Sequence, residues 1–394
     1  AYAGAMRELS KRYQDDADAA TLYAAALMNL RPWNYWGRDG RPYAGTMEFV
    51  STLESVLERE PLHPGANHYY IHAVEATATP QRALRSAERL GKLMPGAGHL
   101  VHMPAHIYLR VGRYAAASES NVRAIEADED YITQCRVQSL YPLQYYPHNI
   151  HFLWASATME GRSAVAIRSA RQVASKVPPV NAKGLLPFGK VFPLIPLFAL
   201  TRFGQWEAIL TEPVPPPITP LAPGLWHYAR GMAFTRTGKF EEASGELEKL
   251  SAILQDSTAV DSPVGSTTAA NILRIATEVL AGELAAEQDE VEKALGHLHA
   301  AVLLEDSLPY TEPADWHYPV RQSLGAVLLK AGRAVEAEVV YWEDLKRNPE
   351  NGWSLFGLAQ SLRAQGKDEE AGEVEKRFQK AWARADVTLT SSRF

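Results

Sequence analysis

Histidine is where this chain concentrates chemical potential. Eight of its twelve histidines lie between positions 63 and 151, and seven of those fall on a repeating grid. The stretches read His68-Tyr-Tyr-Ile-His72-Ala-Val-Glu75, His99-Leu-Val-His102-Met-Pro-Ala-His106 and His148-Asn-Ile-His151. Steps of three and four residues put the members of each set on one face of a helix. Imidazoles leaving the same face one turn apart can share a transition-metal ion, the physical basis of the His-x3-His metal signature. Helices that face one another, each with such a pair, build metal sites inside helical bundles.

The elements that must position these rings repeat with them. Measured back from Ala83, Ala117 and Ala166, which sit in three similar small-residue helices, His68, His102 and His151 are each fifteen residues away. His72 and His106 are each eleven before, and His99 and His148 each eighteen before. Three consecutive helix pairs therefore aim imidazoles from the same slots. A single histidine on a helix is ordinarily a surface or packing residue; pairs in equivalent slots of successive repeats favour a metal site.

His68, His72, His102 and His106 are expected as the core ligands. His151 is the fifth, because it shares the slot of His68 and His102. His99 and His148, one turn nearer the helix starts, are secondary candidates. Glu75 is the candidate catalytic group, a base toward metal-bound water; ligand and ring-orienting acceptor are its other possible roles. Tyr69, Tyr108 and Tyr146 flank the ligand helices and are the expected walls of a substrate pocket, although aromatics at helical spacing also serve as packing. Imidazoles with one carboxylate suit Zn, Cu, Fe or Ni and argue against Ca or Mg. The expected cofactor is a transition metal (Cu, Zn or Fe), as a mono- or dinuclear centre. Four histidines would close a structural site, whereas three plus water leave a reactive one. The surplus of rings over a structural need points to chemistry. Pro104 lies between two expected ligands, so the helix there is expected to bend or restart.

Around the histidines the chain is helical and repetitive. Gly-Arg-Tyr-Ala-Ala-Ala (112–117) recurs in altered form at Gly204-Gln-Trp206, Gly238-Lys-Phe240-Glu-Glu-Ala243, Gly332-Arg-Ala-Val-Glu-Ala337 and Gly366-Lys-Asp-Glu-Glu-Ala371. Several of the following helices close at a proline: Pro95, Pro178 and Pro349. The glycine ends one helix, the aromatic seats the turn and the alanine lets two helices approach. With these features the chain resembles the tetratricopeptide repeat family, most clearly over Tyr318 to Pro349, where Leu324-Gly325, Leu328, Gly332, Ala337 and Pro349 take the family's places. The segments 63–68, His102-Met-Pro-Ala-His106 and Trp316-His-Tyr-Pro319 resemble a bacterial, histidine-rich branch of it. The resemblance implies an all-α solenoid of antiparallel helix pairs wound into a right-handed superhelix. In that branch further repeats precede the point where this chain starts.

Two segments interrupt the repeats. Residues 31–45 are an aromatic, Gly/Pro-rich insertion where a tight turn is expected. Residues 211–224 are a proline-rich connector that cannot be helical inside. The expected division is therefore 1–210 with the histidines, 211–224 as connector and 225–394 as a second set of repeats. Residues 128–146, rich in tyrosine, read as another long connector of the kind that covers sites.

The bulk numbers bound the rest. Net charge −6 and a pI near 6.1, without a basic run, give no basis for nucleic-acid binding. No apolar stretch reaches the ~20 residues of a membrane span. The single Cys135 excludes an internal disulfide, a thiolate cage and, with no sign of activation, a thiol enzyme. One cysteine fits a cytoplasmic location and equally a periplasmic one after N-terminal processing, which the Ala-Tyr-Ala start suggests. Gly-x-Gly-x-x-Gly, P-loop and Gly-x-Ser-x-Gly motifs are missing. The expected function is a metal-dependent enzyme acting on a small organic substrate in the concave groove. The alternatives are a scaffold for a peptide or protein partner, and metal storage or delivery.

Overall fold

The computed structural model of the protein describes residues 1–136, 140–176, 187–215, 221–255 and 262–394. By contacts the chain divides into two units, Ala1–Asn149 and Ile150–Phe394. The proline-rich connector lies within the second; of its residues, 216–220 are outside the described ones, as is Pro178.

The first unit runs α1 (Tyr2–Arg12), α2 (Ala17–Met28), α3 (Thr46–Arg59), α4 (Pro64–Val74), α5 (Leu84–Leu93), α6 (Gly98–His102), α7 (Pro104–Arg110), α8 (Tyr114–Cys135) and the first half of α9 (Leu140–Met159). Each of α1 to α5 packs on the next, and both α6 and α7 pack on α8. Four residues join α1 to α2, α3 to α4 and α5 to α6, a link short enough to turn each pair antiparallel. In the second unit come α10 (Ser163–Ser175), α11 (Ile195–Arg202), α12 (Trp206–Thr211), α13 (Leu221–Arg236), α14 (Phe240–Gln255), α15 (Ala269–Glu287), α16 (Val291–Asp306), α17 (Val320–Lys330), α18 (Ala334–Arg347), α19 (Gly352–Ala364) and α20 (Asp368–Ala381). Among the described residues the only strands are Pro263–Val264 and Thr267–Thr268, a two-residue antiparallel ladder. The chain is an all-α, tetratricopeptide-like array of helix pairs, as expected.

The recurring glycines make this pairing possible. Gly112 and Gly332 have φ of 76° and 74°, in the left-handed region where a side chain is strained. The next residue's N–H then folds back: Arg113 donates to the Tyr108 carbonyl (2.8 Å) and Arg333 to that of Leu328 (2.9 Å). This closes the helix end in a Schellman motif and turns the chain back. Ala83, Ala117, Ala166 and Ala337 are fully buried, as close helix approach requires. In the Tyr318–Pro349 unit, Gly325 lies under the Tyr341 ring, where an added Cβ would meet Cζ at 2.5 Å.

Two expectations about connectors change: α13 already begins at Leu221, inside the expected connector 211–224, and the tyrosine-rich stretch is largely helical. Residues 128–146 do not form one long loop: α8 continues to Cys135 and α9 begins at Leu140, with 137–139 outside the described residues. Asp128 to Cys135 contains neither Gly nor Pro, and Pro142 sits in the first turn of α9, where its missing N–H costs nothing. The insertion at 31–45 is ordered. Tyr43 N donates to Tyr35 O (2.9 Å), Gly37 N to Arg41 O (2.8 Å), and the Trp36 indole N–H to the Ala73 carbonyl of α4 (2.8 Å). No helix among the described residues is long and apolar enough to cross a membrane.

Candidate metal centre

The site lies wholly in the first unit and is built on α4, α6, α7 and the start of α9. Helix α4 begins with Pro64 at its first position and His63 as its cap, whose Nδ1 accepts the Ala66 N–H (3.1 Å). His63 is thereby structural. Helix α4 then carries His68 and His72 on one face, and Glu75 caps its end. At Pro104 the helix restarts, with the proline at the first position of α7, yet the backbone does not leave the helical region. Met103 keeps φ −49° and ψ −36°, so α7 continues from α6. The proline supplies no N–H to the ladder, and His106 N closes a tight turn onto Met103 O (3.2 Å).

Six imidazoles meet. His68 Nε2 lies 3.1 Å from His99 Nε2, and His102 Nε2 lies 3.0 Å from His106 Nε2. Ring centroids of His72 and His106 are 5.2 Å apart, and those of His102 and His148 5.0 Å. Ligand atoms of His68, His72 and His99 all lie within 4.8 Å of one another, as do those of His102, His106 and His148, and those of His72, Glu75 and His106. A metal–imidazole bond of about 2.0–2.1 Å puts neighbouring donors on one ion about 2.8–3.4 Å apart. The two close Nε2 pairs match that spacing.

The tautomers follow from the partners behind the rings. Asn121 Nδ2 donates to the Ala117 carbonyl (2.8 Å), which turns its Oδ1 toward His102 Nδ1 at 2.7 Å. An amide oxygen only accepts, so His102 carries its proton on Nδ1 and presents the Nε2 lone pair. Glu75 acts likewise on two rings. Its Oε1 is 2.9 Å from His72 Nδ1, and its Oε2 is 2.6 Å from His106 Nδ1. The His72 contact is the better aligned hydrogen bond; the His106 contact is shorter but off-angle. Nε2 lone pairs of His102 and His106 therefore face each other, an arrangement that calls for a positive charge between them. His99 Nδ1, the ring nitrogen turned away from the close Nε2 pair with His68, is buried with no hydrogen-bond partner.

Burial keeps three of the rings neutral. Burial, then the neighbouring imidazoles, push His68 and His102 well below the usual histidine range, and bring His99 down to about 3. Burial alone would raise the Glu75 carboxyl. His106 and His72, by charge and hydrogen bonding, outweigh burial and hold it well below the usual carboxylate range. Burial thus leaves His68, His99 and His102 as neutral rings beside one carboxylate, and a neutral ring is the form that binds a metal.

Of the expected residues, the structure brings His68, His72, His102 and His106 together, and His99 and His148 join them. His151 falls in the second unit, its ring stacked on Trp154 (5.2 Å, 5° between planes) and edge-on to Phe192. Tyr69 lies beside His68, with centroids 4.8 Å apart. Tyr108 is buried beneath the Arg113 guanidinium (4.6 Å), and Tyr146 is buried with its hydroxyl donating to Glu129 (2.6 Å). Two other aromatics border the rings: Trp33 edge-on to His72 at 4.9 Å, and Tyr145 edge-on to His99 at 5.1 Å. Trp33 is 70% exposed and has φ of 62°. Sequence reasoning did not place Trp33 or Asn121. The signal for Asn121 was a lone amide four residues after Ala117 on a helix face of small residues; for Trp33 no periodicity pointed to the site.

No family model and no curated protein matches the chain. Among solved structures it is similar to human IFIT1, determined as a dimer with m7Gppp-AAAA, at 13% identity and a TM-score of 0.38 over 96% of this chain and 76% of that one. It is also similar to the Naa15/Naa10 assembly bound to HypK-THB, at 12% identity and a TM-score of 0.34 over 96% of this chain and 60% of that one. A third similarity is to the RpL4 assembly chaperone Acl4, at 14% identity and a TM-score of 0.24. These likenesses are too distant to say anything about what this chain binds.

Proposed function

We propose that this protein is a helical-repeat binding protein whose first unit holds transition metal on clustered imidazoles and acts there on a small organic molecule. One observation carries the reading: two trios of histidine donor atoms, each within 4.8 Å of one another, with His102, His72 and His106 backed on Nδ1 so that Nε2 turns inward. Chemistry rather than storage is favoured by the borders of the site. Each trio leaves room for a non-protein ligand, and the exposed Trp33 and Tyr145 offer aromatic surface beside His72 and His99. Glu75, with both oxygens turned to Nδ1 atoms, serves as the ring-orienting acceptor rather than as a base.

A second reading is a scaffold that holds a protein or peptide partner. Helix-pair arrays lend themselves to that use, and Trp33 within the 31–45 insertion and Leu30 and Met47 beside it are exposed apolar side chains. Metal analysis of protein purified without an affinity tag separates the two. We expect Cu, Zn or Fe to be retained or acquired on soaking. Protein that neither retains nor acquires metal would refute the first reading and leave the scaffold, with protein, peptide and RNA ligands to be screened.

A further inference from the structure

The histidine trios obey the same rule. In the first, His68 and His72 stand fifteen and eleven residues before Ala83, and His99 stands eighteen before Ala117. In the second, His102 and His106 stand fifteen and eleven before Ala117, and His148 eighteen before Ala166. Each trio thus takes two rings from one helix pair and one from the next. The second trio is the first moved along the array by one repeat. The rule also says where the series stops. The slot eighteen before Ala83 is Gly65, and the slot eleven before Ala166 is Ala155. Neither end can complete a third trio, and His151, the remaining ring on the grid, is stacked on Trp154.

Glu75 has no counterpart. The corresponding positions in the next two repeats, eight before Ala117 and Ala166, are Leu109 and Thr158. It stands where the trios adjoin, with one oxygen on His72 of the first and the other on His106 of the second. One buried carboxylate thus orients a ligand in each trio and supplies negative charge to both.

We propose that the cluster holds two transition-metal ions side by side, one on His68, His72 and His99 and the other on His102, His106 and His148, with Glu75 as the shared positioning residue. The proposal deepens the metal-binding reading above and rests on it. Three imidazoles on each ion leave open positions, and two adjacent ions can hold a single oxygen-donor ligand between them. The centre would therefore bind small oxyanionic or hydroxylated molecules by bridging.

The test uses the full chain, stripped of metal and titrated with Zn(II), with bound equivalents read by native mass spectrometry. His99→Gln and His148→Gln each remove one ring from one trio, both supplied by the following repeat. The wild type should bind two equivalents, each single variant one, and the double variant none at high affinity. Circular dichroism checks folding; if a variant is misfolded, His68→Gln or His102→Gln serves for the same trio. Cu(II) loading gives an independent readout. Two neighbouring ions should lose paramagnetic resonance intensity through coupling, and each single variant should restore the signal of one isolated ion. One equivalent in the wild type overturns the two-ion proposal and leaves metal binding standing. No metal in the wild type removes both. Two equivalents that survive in both single variants overturn the assignment of the trios.

Discussion

His102 Nδ1 and Asn121 Oδ1 lie 2.7 Å apart, and the other end of that amide is tied to the Ala117 carbonyl. Asn121 belongs to α8, the helix that packs on α6, so helix packing itself sets which nitrogen of His102 faces the cluster. Replacing Asn121 with Leu removes the acceptor and lets the ring turn or change tautomer. Metal affinity should fall about 10–100-fold, the usual cost of losing a group behind a ligand. Competition against a chelator of known strength measures it; an unchanged affinity would show that the amide does not govern the ring.

Glu75→Gln changes one oxygen from acceptor to donor. Gln can accept from one Nδ1–H but not from two, so one of His72 and His106 must adopt the other tautomer. The variant should keep its fold and lose about tenfold or more in affinity for one ion. A calorimetric titration in which both sites keep wild-type affinity would show that Glu75 does not orient them.

Of the seven histidines on the grid, His151 is the one that the metal assignment leaves out, so its titration can be removed without touching a proposed ligand. Burial lowers it to about 3, from an ordinary value near 6.5. Above pH 6.5 folded and unfolded chains both hold a neutral ring. As pH falls below 6.5 the unfolded chain takes up a proton that the folded one refuses, so stability is lost progressively toward pH 3. His151→Phe cannot titrate. Relative to wild type it should gain on the order of 2 kcal/mol between pH 7 and pH 5, while bound metal stays the same. Denaturant melts at the two pH values, with metal analysis, check both halves.

Gly98 opens α6, and a Cβ there would meet the Asp128 carboxylate oxygen at 1.8 Å. Asp128 is fully buried and accepts from Tyr141 (2.6 Å) and from Asn149 (2.7 Å), the neighbour of His148. Gly98→Ala should therefore displace α6 or Asp128, cost about 1–3 kcal/mol by overpacking, and weaken metal binding through His99 and His148. A melt and a titration equal to wild type would show that the contact yields freely.

The helical pairs were legible because periodicity and turn chemistry are local. Gly112 and Gly332 announce a left-handed turn by residue type, and Ala117 and Ala337 announce a close crossing. The histidine slots were legible for the same reason. What could not be read was which slots share a trio, because that depends on how one repeat sets against the next. Hence His99 and His148 ranked below His151, although slot eighteen of one repeat meets slots fifteen and eleven of the repeat before. The stretch 128–146 misled because its tyrosines drew more weight than its lack of helix breakers before Cys135. Trp33 reaches His72 through an irregular, aromatic loop, and no pattern of spacing foretells that contact.

Each trio is assembled across a seam between repeats, and this bears on how such a protein can change length. Excising the 34 residues that separate Ala83 from Ala117 deletes three of the six rings yet brings His68 and His72 into the repeat just ahead of His148. The shortened chain would still spell one whole trio. Duplicating the same 34 residues would spell a third. The number of centres would therefore change in whole-repeat steps, gained or lost with the 34 residues that carry their rings.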